Sequence, residues 1–462
     1  MTRLGLGSVL AALLALAACG PGEEILAGDR FDPRDITAAA DALAKQQEAG
    51  TPVTPAPEPV SRVPIAAYAV TGEPRKIALP GAATNAEWTH VNGGVEHRIA
   101  HPALGPSLSR IWTASIGSPG TRRVRMSADP VVAAGKIFTL SAFSQLQATS
   151  TSGGVIWARD LTPSGERAGE AAGGGLAYAG GRIYAATGYG ILHVLDATSG
   201  AVIWQQKLGS APSGAPTVAG DLIYLTTRDS KAWAIDAKTG RVLWQLAAAE
   251  TGSVVNTGAA PAVAGRTVLF PFGSGDMIAA LREGGVQLWT STVTGQRPGR
   301  AYTAVTDISG DPVVQGNTVY VGTPSGRLAA LDLASGERIW TAGEGAVSAV
   351  WPAGGSVFLI SDQAELVRLD AGSGEKIWSA TLPLYTEEKI RRRHGVFAHF
   401  GPVLAGGRLI VASGDGMLRE IDPASGQLLR ATDLGAPAAA NPVVAGQVLY
   451  VVTTNGKLHA FR

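Results

Sequence analysis

Cysteine is almost missing from this chain of 462 residues: Cys19 stands alone, so no intramolecular disulfide can form. Charge is sparse too, at 16% of residues, and it nearly cancels to a net +1. Nothing in that balance asks for nucleic acid or an acidic partner. The apolar run from Leu4 to Leu16 is shorter than the roughly 20 residues a membrane-spanning helix needs. Metal-ligand spacing is lacking as well. His90, His97 and His101 lie close together but in no zinc-type pattern, and we read them as solvated or hydrogen-bonded side chains. What the chain does have is 45% hydrophobic residues and 60 glycines, enough for a large core cut by many turns.

The N-terminus reads as an export signal over residues 1–19. Arg3 gives the positive start, Leu4 to Leu16 the apolar stretch, and Leu16-Ala-Ala-Cys19 the small residues before the single cysteine. That ending resembles the lipobox of bacterial lipoproteins, which implies lipidation at Cys19. Gly20 stands where lipoproteins kept at the inner membrane typically carry Asp, so the resemblance implies outer-membrane sorting. Residues 20–84 are expected to be a tether: Asp35 to Gln47 is alanine-rich and suits a short helix, and Thr51 to Pro59 is a proline-rich spacer.

The remainder is organised by a repeat. Asp236-Ala-Lys-Thr-Gly-Arg-Val-Leu-Trp244 returns as Asp196 to Trp204, Asp332 to Trp340 and Asp370 to Trp378, with weaker copies ending at Trp157, Trp289 and Arg430. The period is roughly 40–50 residues, the range of propeller blades. Before each Asp runs an alternating stretch such as Lys231 to Ile235, expected to be a pleated strand with one buried face. The Asp accepts from turn amides, the Gly tolerates positive φ, and the Trp packs between neighbouring sheets. Eight hairpins recur: 136–150, 182–196, 222–236, 267–281, 318–332, 356–370, 408–422 and 447–462. Inner strands are marked by Asp129-Pro-Val-Val, Ala215-Pro-Thr-Val, Ala260-Pro-Ala-Val, Asp311-Pro-Val-Val and Asn441-Pro-Val-Val, where a proline at the strand start breaks no ladder bond. The last hairpin ends with the chain, and Ser109-Arg-Ile-Trp112 has the pattern of its missing outer strand. The expected fold is all-β: an eight-bladed propeller over residues 85–462, its ring closed by an N-terminal strand.

The segment Ala234 to Trp244 resembles the tryptophan docking repeat of the pyrroloquinoline-quinone (PQQ) propeller superfamily. With the lipobox and a single propeller, the chain resembles the BamB family of lipoproteins of the outer-membrane β-barrel assembly machinery. That resemblance implies a non-enzymatic scaffold without a cofactor, held by lipid on the periplasmic face of the outer membrane. It also implies binding to the POTRA domains of BamA within the barrel-assembly complex. Asp307 matches the first of two acidic positions in one binding segment of the family, and Ser309 stands at the second. The other binding segment falls on Ser253, Val254, Val255 and Asn256, where the family's arginine is absent. An alternative from the same superfamily is a quinone-dependent dehydrogenase, which needs a Ca²⁺ site, a catalytic Asp and often a vicinal disulfide that one cysteine forbids. Another periplasmic propeller scaffold is a further alternative.

Propeller geometry places the links 245–259, 290–310 and 379–400 on one face, the expected partner surface. The last contains a short basic cluster, Arg391 to Arg393, offset by Glu387 and Glu388 and read as a solvated loop.

Overall fold

The alternating runs become strands where the pattern puts them. The structure, a computed structural model, describes residues 68–121, 123–251, 258–295, 297, 305–387 and 389–462. Its strands form eight antiparallel sheets, each running from a strand at the axis to an outer strand, the axial one only three residues long in five of them. We number these blades 1 to 8: 131–160, 174–207, 217–247, 262–292, 310–342, 351–381, 399–433, and 443–461 completed by Arg110–Ser115. The architecture is an eight-bladed β-propeller.

Blade 3 shows how the sequence builds a unit. Thr217–Ala219 is the inner strand, Leu222–Thr227 and Lys231–Asp236 are the central hairpin, and Val242–Ala247 is the outer strand. The central strand was expected to bury one face. Instead Ala232, Trp233, Ala234 and Ile235 are all buried, because each blade is sandwiched between two others and both pleat faces meet a neighbour. Asp236 Oδ1 accepts from the Thr239 amide at 2.7 Å, the Thr239 hydroxyl at 2.8 Å and the Lys238 amide at 3.0 Å. These bonds, the hydroxyl's first, hold the carboxyl below its ordinary pKa.

The outer-strand tryptophan joins each blade to the next. Trp112, Trp157, Trp204, Trp244, Trp289, Trp340 and Trp378 lie over Gly153, Gly200, Gly240, Gly285, Gly336, Gly374 and Gly426 in the last turn of the following blade. Six indoles also donate to a carbonyl in that turn, as Trp289 does to Leu333 O at 3.0 Å and Trp340 to Ala371 O at 2.9 Å. Trp204 Nε1 is the exception, and the matching carbonyl of Ala237 accepts from Arg182 instead. Arg430 replaces the tryptophan at the junction of blades 7 and 8. Blade 8 takes its outer strand from the N-terminus and therefore has no turn on which an indole could dock.

Ring closure follows the expected pairing: Arg110 opposes Phe461, Trp112 opposes Ala460, and Ser109 and Arg462 exchange both backbone hydrogen bonds. The tether boundary at residue 84 needs correction. From Tyr68 onward the chain already lies on the propeller, with Val70–Gly72 added as a fifth strand to the outer edge of blade 6.

Candidate functional site: a plugged channel and its open face

Short inner strands such as Val131–Ala133 and Val443–Ala445 leave backbone groups facing the axis without a ladder partner. Residues 85–102 enter the channel and meet them blade by blade. Trp88 exchanges both bonds with Val132 of blade 1, and Thr89 O accepts from Tyr178 of blade 2. His90 Nε2 accepts from Val218 of blade 3 at 3.1 Å, while Val95 O and Glu96 O accept from Val263 and Val314 of blades 4 and 5. Asn92 donates to Val350 O beside blade 6 at 3.4 Å, and His101 Nε2 accepts from Gly407 of blade 7 at 2.7 Å. Asn85 donates to Val444 O of blade 8 and accepts from Gly446. All eight blades are tied to one segment.

The three histidines belong to this plug. His97 Nδ1 donates to Pro312 O at 2.9 Å and His101 Nδ1 to Pro80 O at 2.8 Å, each on a separate partner set. Burial drives His90 down to about 4 and His97 to about 3, so both stay neutral. Among the described residues no group of three or more His, Cys, Asp or Glu could hold a metal ion.

The plug enters beside the turns at Gly407 and Gly446. On the other side the channel opens as a funnel of about 500 Å³ with His90 and Val91 at its floor. Link residues Gly258, Ser309, Val396 and Phe397 line it together with Ile360 and Asp362 of a central hairpin turn, which puts the interblade links on this face. Val347 and Val396 at its walls are 41% and 62% exposed.

Inside the funnel three equivalent positions latch neighbouring blades. Asp129 Oδ1 accepts from the Asn441 amide at 2.8 Å, Asp311 Oδ1 from the Ala260 amide at 2.7 Å, and Asn441 Oδ1 from the Gly401 amide at 2.8 Å. Each side chain reaches back to the preceding blade. Burial raises Asp129 to about 6, against hydrogen bonds from Asn441, and Asp311 to about 7, with the Ala260 bond opposing and the Asp129 charge adding. The sequence carries this signal as Asp or Asn before Pro at one repeat position. From sequence alone that position marks only a proline at the start of an inner strand.

Asp307 and Ser309 sit differently from expectation. Both belong to the link 290–310 of the expected partner surface, yet they are only 4% and 8% exposed, because the link turns inward to begin blade 5. Ile308 N–H donates to Phe272 O, and Ser309 Oγ donates to Ala346 O at 3.3 Å. Asp307 faces Arg228 of blade 3: burial lowers the guanidinium's pKa and the Asp307 charge opposes that. Val254, Val255, Asn256 and Cys19 lie outside the described residues. Arg391 and Arg392 are exposed in the short 3-10 turn Ile390–Arg392, and Arg393 lies 4.8 Å from the Tyr385 ring centre.

Comparison with known proteins fits this architecture. A family model described as "Outer membrane protein assembly factor BamB" matches residues 142–380 and 370–462. The protein of that name from Moranella endobia (strain PCIT) is 24% identical over 358 residues, 76% of this chain and 89% of its own. The one from Legionella pneumophila (strain Paris) is 25% identical over 209 residues, 45% of this chain, and the match spans about half, 51%, of that relative. The crystal structure of BamB from Moraxella catarrhalis aligns with a TM-score of 0.63 at 21% identity, covering 77% of this chain and 100% of that one. A europium-containing methanol dehydrogenase aligns with a TM-score of 0.59 at 14% identity over 81% and 98% of the two chains, a likeness of fold alone. Since the family model covers well over half of its length, the chain belongs to the BamB family of outer membrane protein assembly factors.

Proposed function

We propose that the chain is a non-enzymatic scaffold lipoprotein of the outer-membrane β-barrel assembly machinery. In this reading it is anchored through Cys19 at the periplasmic face of the outer membrane and binds the POTRA domains of BamA through its funnel face. The observation that carries the reading is that described residues of the long interblade links, Gly258, Ser309, Leu384, Val396 and Phe397, meet on the open side of a ring that docking tryptophans and the plug tie together. Long links on a rigid scaffold are where recognition tends to reside. Family membership favours an assembly role over quinone chemistry.

Within that surface we assign the direct contact to Val254, Val255 and Asn256. Asp307 and Ser309 act from beneath: one faces Arg228, the other donates to Ala346 O, and together they set where the 293–309 link enters blade 5. Binding of isolated POTRA domains to the purified protein tests the assignment. Val255→Asp places a charge in an apolar contact and is expected to weaken binding by about tenfold or more with an unchanged melting curve. Wild-type affinity in that variant moves the contact to the exposed turn carrying Arg391 and Arg392.

A further inference from the structure

One outer edge of the propeller carries a guest strand. Val70–Gly72 runs antiparallel to Lys376–Thr381 of blade 6, pairing Val70 with Ala380, Thr71 with Ser379 and Gly72 with Trp378. Ala69 O accepts from the Thr381 amide at 2.9 Å. Side chains fix the register: the Tyr68 hydroxyl donates to Gly426 O of blade 7 at 2.7 Å, and Thr71 Oγ1 and Ser379 Oγ share a bond of 2.9 Å. Gly72 is demanded twice over, since its φ is +99° and a Cβ there would stand 2.4 Å from Ile377 O.

Past its tryptophan the host edge carries no long side chain. After Trp378 come the small Ser379 and Ala380, as Thr290-Ser291, Thr341-Ala342 and Thr113-Ala114 follow the tryptophans of blades 4, 5 and 8, whereas blades 1 to 3 present Arg159, Gln206 with Lys207, and Gln245, side chains long enough to blunt an edge. Ile377 is half-buried beneath the guest. The corresponding Ile156, Ile203 and Leu243 on bare edges are 45%, 44% and 47% exposed.

The guest is held separately from the segment that follows it. Its own Thr71 and Gly72 are exposed, and the pairing extends over three residues. Beyond it, buried Arg368 donates to Arg75 O and Lys76 O and pins the chain independently of the strand. Blade 6 retains four strands without the guest, and the plug begins only at Asn85.

We infer that the outer edge of blade 6 is a strand-docking site filled in cis by residues 68–72, and that its ligand in trans is an extended peptide of the same pattern. That pattern is an aromatic hydroxyl at the first place, a β-branched apolar residue at the third, a hydroxyl residue at the fourth and glycine at the fifth. Backbone pairing supplies the attachment, and the Gly426 carbonyl and Ser379 hydroxyl supply the selection. An arriving strand displaces Tyr68–Gly72 and frees the chain that precedes it from this edge. The site is separate from the funnel face and does not depend on what binds there.

The test uses the full chain carrying Tyr68→Ala and Gly72→Val, which removes the register bond and forces a clash, with a fluorescent peptide of residues 68–74 as probe. Two readouts are expected. The Thr381 amide, protected in the wild type, exchanges faster in the variant, and the peptide binds the variant at least tenfold more tightly than the wild type. Adding Ser379→Lys abolishes peptide binding while the melting transition holds. Continued protection of the Thr381 amide in the variant makes residues 68–72 an integral strand and overturns the proposal. So does an exposed edge that leaves the peptide unbound, or equal binding by the wild type.

Discussion

A methyl group at Gly336 would sit 2.5 Å from the Trp289 ring, on a backbone whose φ is already +73°. Gly336→Ala is therefore expected to destabilise the propeller by about 1–3 kcal/mol, and Trp289→Ala by about 3–5 kcal/mol, read from urea unfolding. Arg430→Trp, by contrast, should gain nothing, because blade 8 has no turn to receive it. The funnel carboxylates make a second prediction. Asp311 titrates near 7 in the folded chain against an ordinary 3.8, so the native state holds a proton that the unfolded chain releases earlier. Its contribution to stability then falls as pH rises from about 4 through 7. Asn441 does the same latching work with an amide, which shows that asparagine fits the geometry. Asp311→Asn should melt a few degrees above wild type at pH 8 and converge with it near pH 4. His90 and His97 act oppositely: the stability they lend above 6.5 is lost as pH falls through 4 and 3. A thermal scan of both proteins across pH 4–8 isolates the aspartate. The docking tryptophans were legible in the sequence because four of them, Trp204, Trp244, Trp340 and Trp378, each stand eight residues after an Asp and set the pattern for the weaker copies. The latches were less so, since their partners are backbone amides of another blade.

Among the elements, the hairpins and the closing strand were readable because period-two alternation and the Asp-to-Gly turn are local signals. The plug was not. Its bonds go to backbone groups of strands far along the chain, Asn85 to Val444 for example, and backbone recognition leaves no side-chain pattern. Thus the plug's histidines showed in the sequence only as a cluster without metal spacing, and the guest strand at 70–72 as tether. The burial of Asp307 was likewise invisible, because the charge it meets, Arg228, belongs to blade 3 and lies far from it in sequence. These elements differ in their expected cost. Removing residues 20–67 should leave the melting transition within a few degrees, whereas removal through Ser115 takes away the plug and the closing strand and should abolish cooperative unfolding.

At the scale of the whole molecule, one acylated cysteine is the proposed attachment to the membrane. Lipid chains contribute about 0.8 kcal/mol per buried methylene, and more than one chain is needed for stable anchoring. Cys19→Ser is expected to shift the protein from the outer-membrane fraction to the soluble periplasm, or to leave it unprocessed. Continued full sedimentation with the outer membrane would mean that partners hold it. The ring also has a history built into it. The segments that lock it, 85–102 and Arg110–Ser115, are synthesised before any complete blade, and Ser109 cannot find its partner until Arg462 exists. Blades cannot settle for good in the order in which they are made. The chain must instead keep its leading end uncommitted, with the edge of Lys457–Phe461 bare, until Arg462 has been added. Closure of such long loops makes folding slow and the last step vulnerable to strand pairing between chains, so delayed N-terminal seating, and not the formation of any blade, is the step at which this protein is most exposed to aggregation.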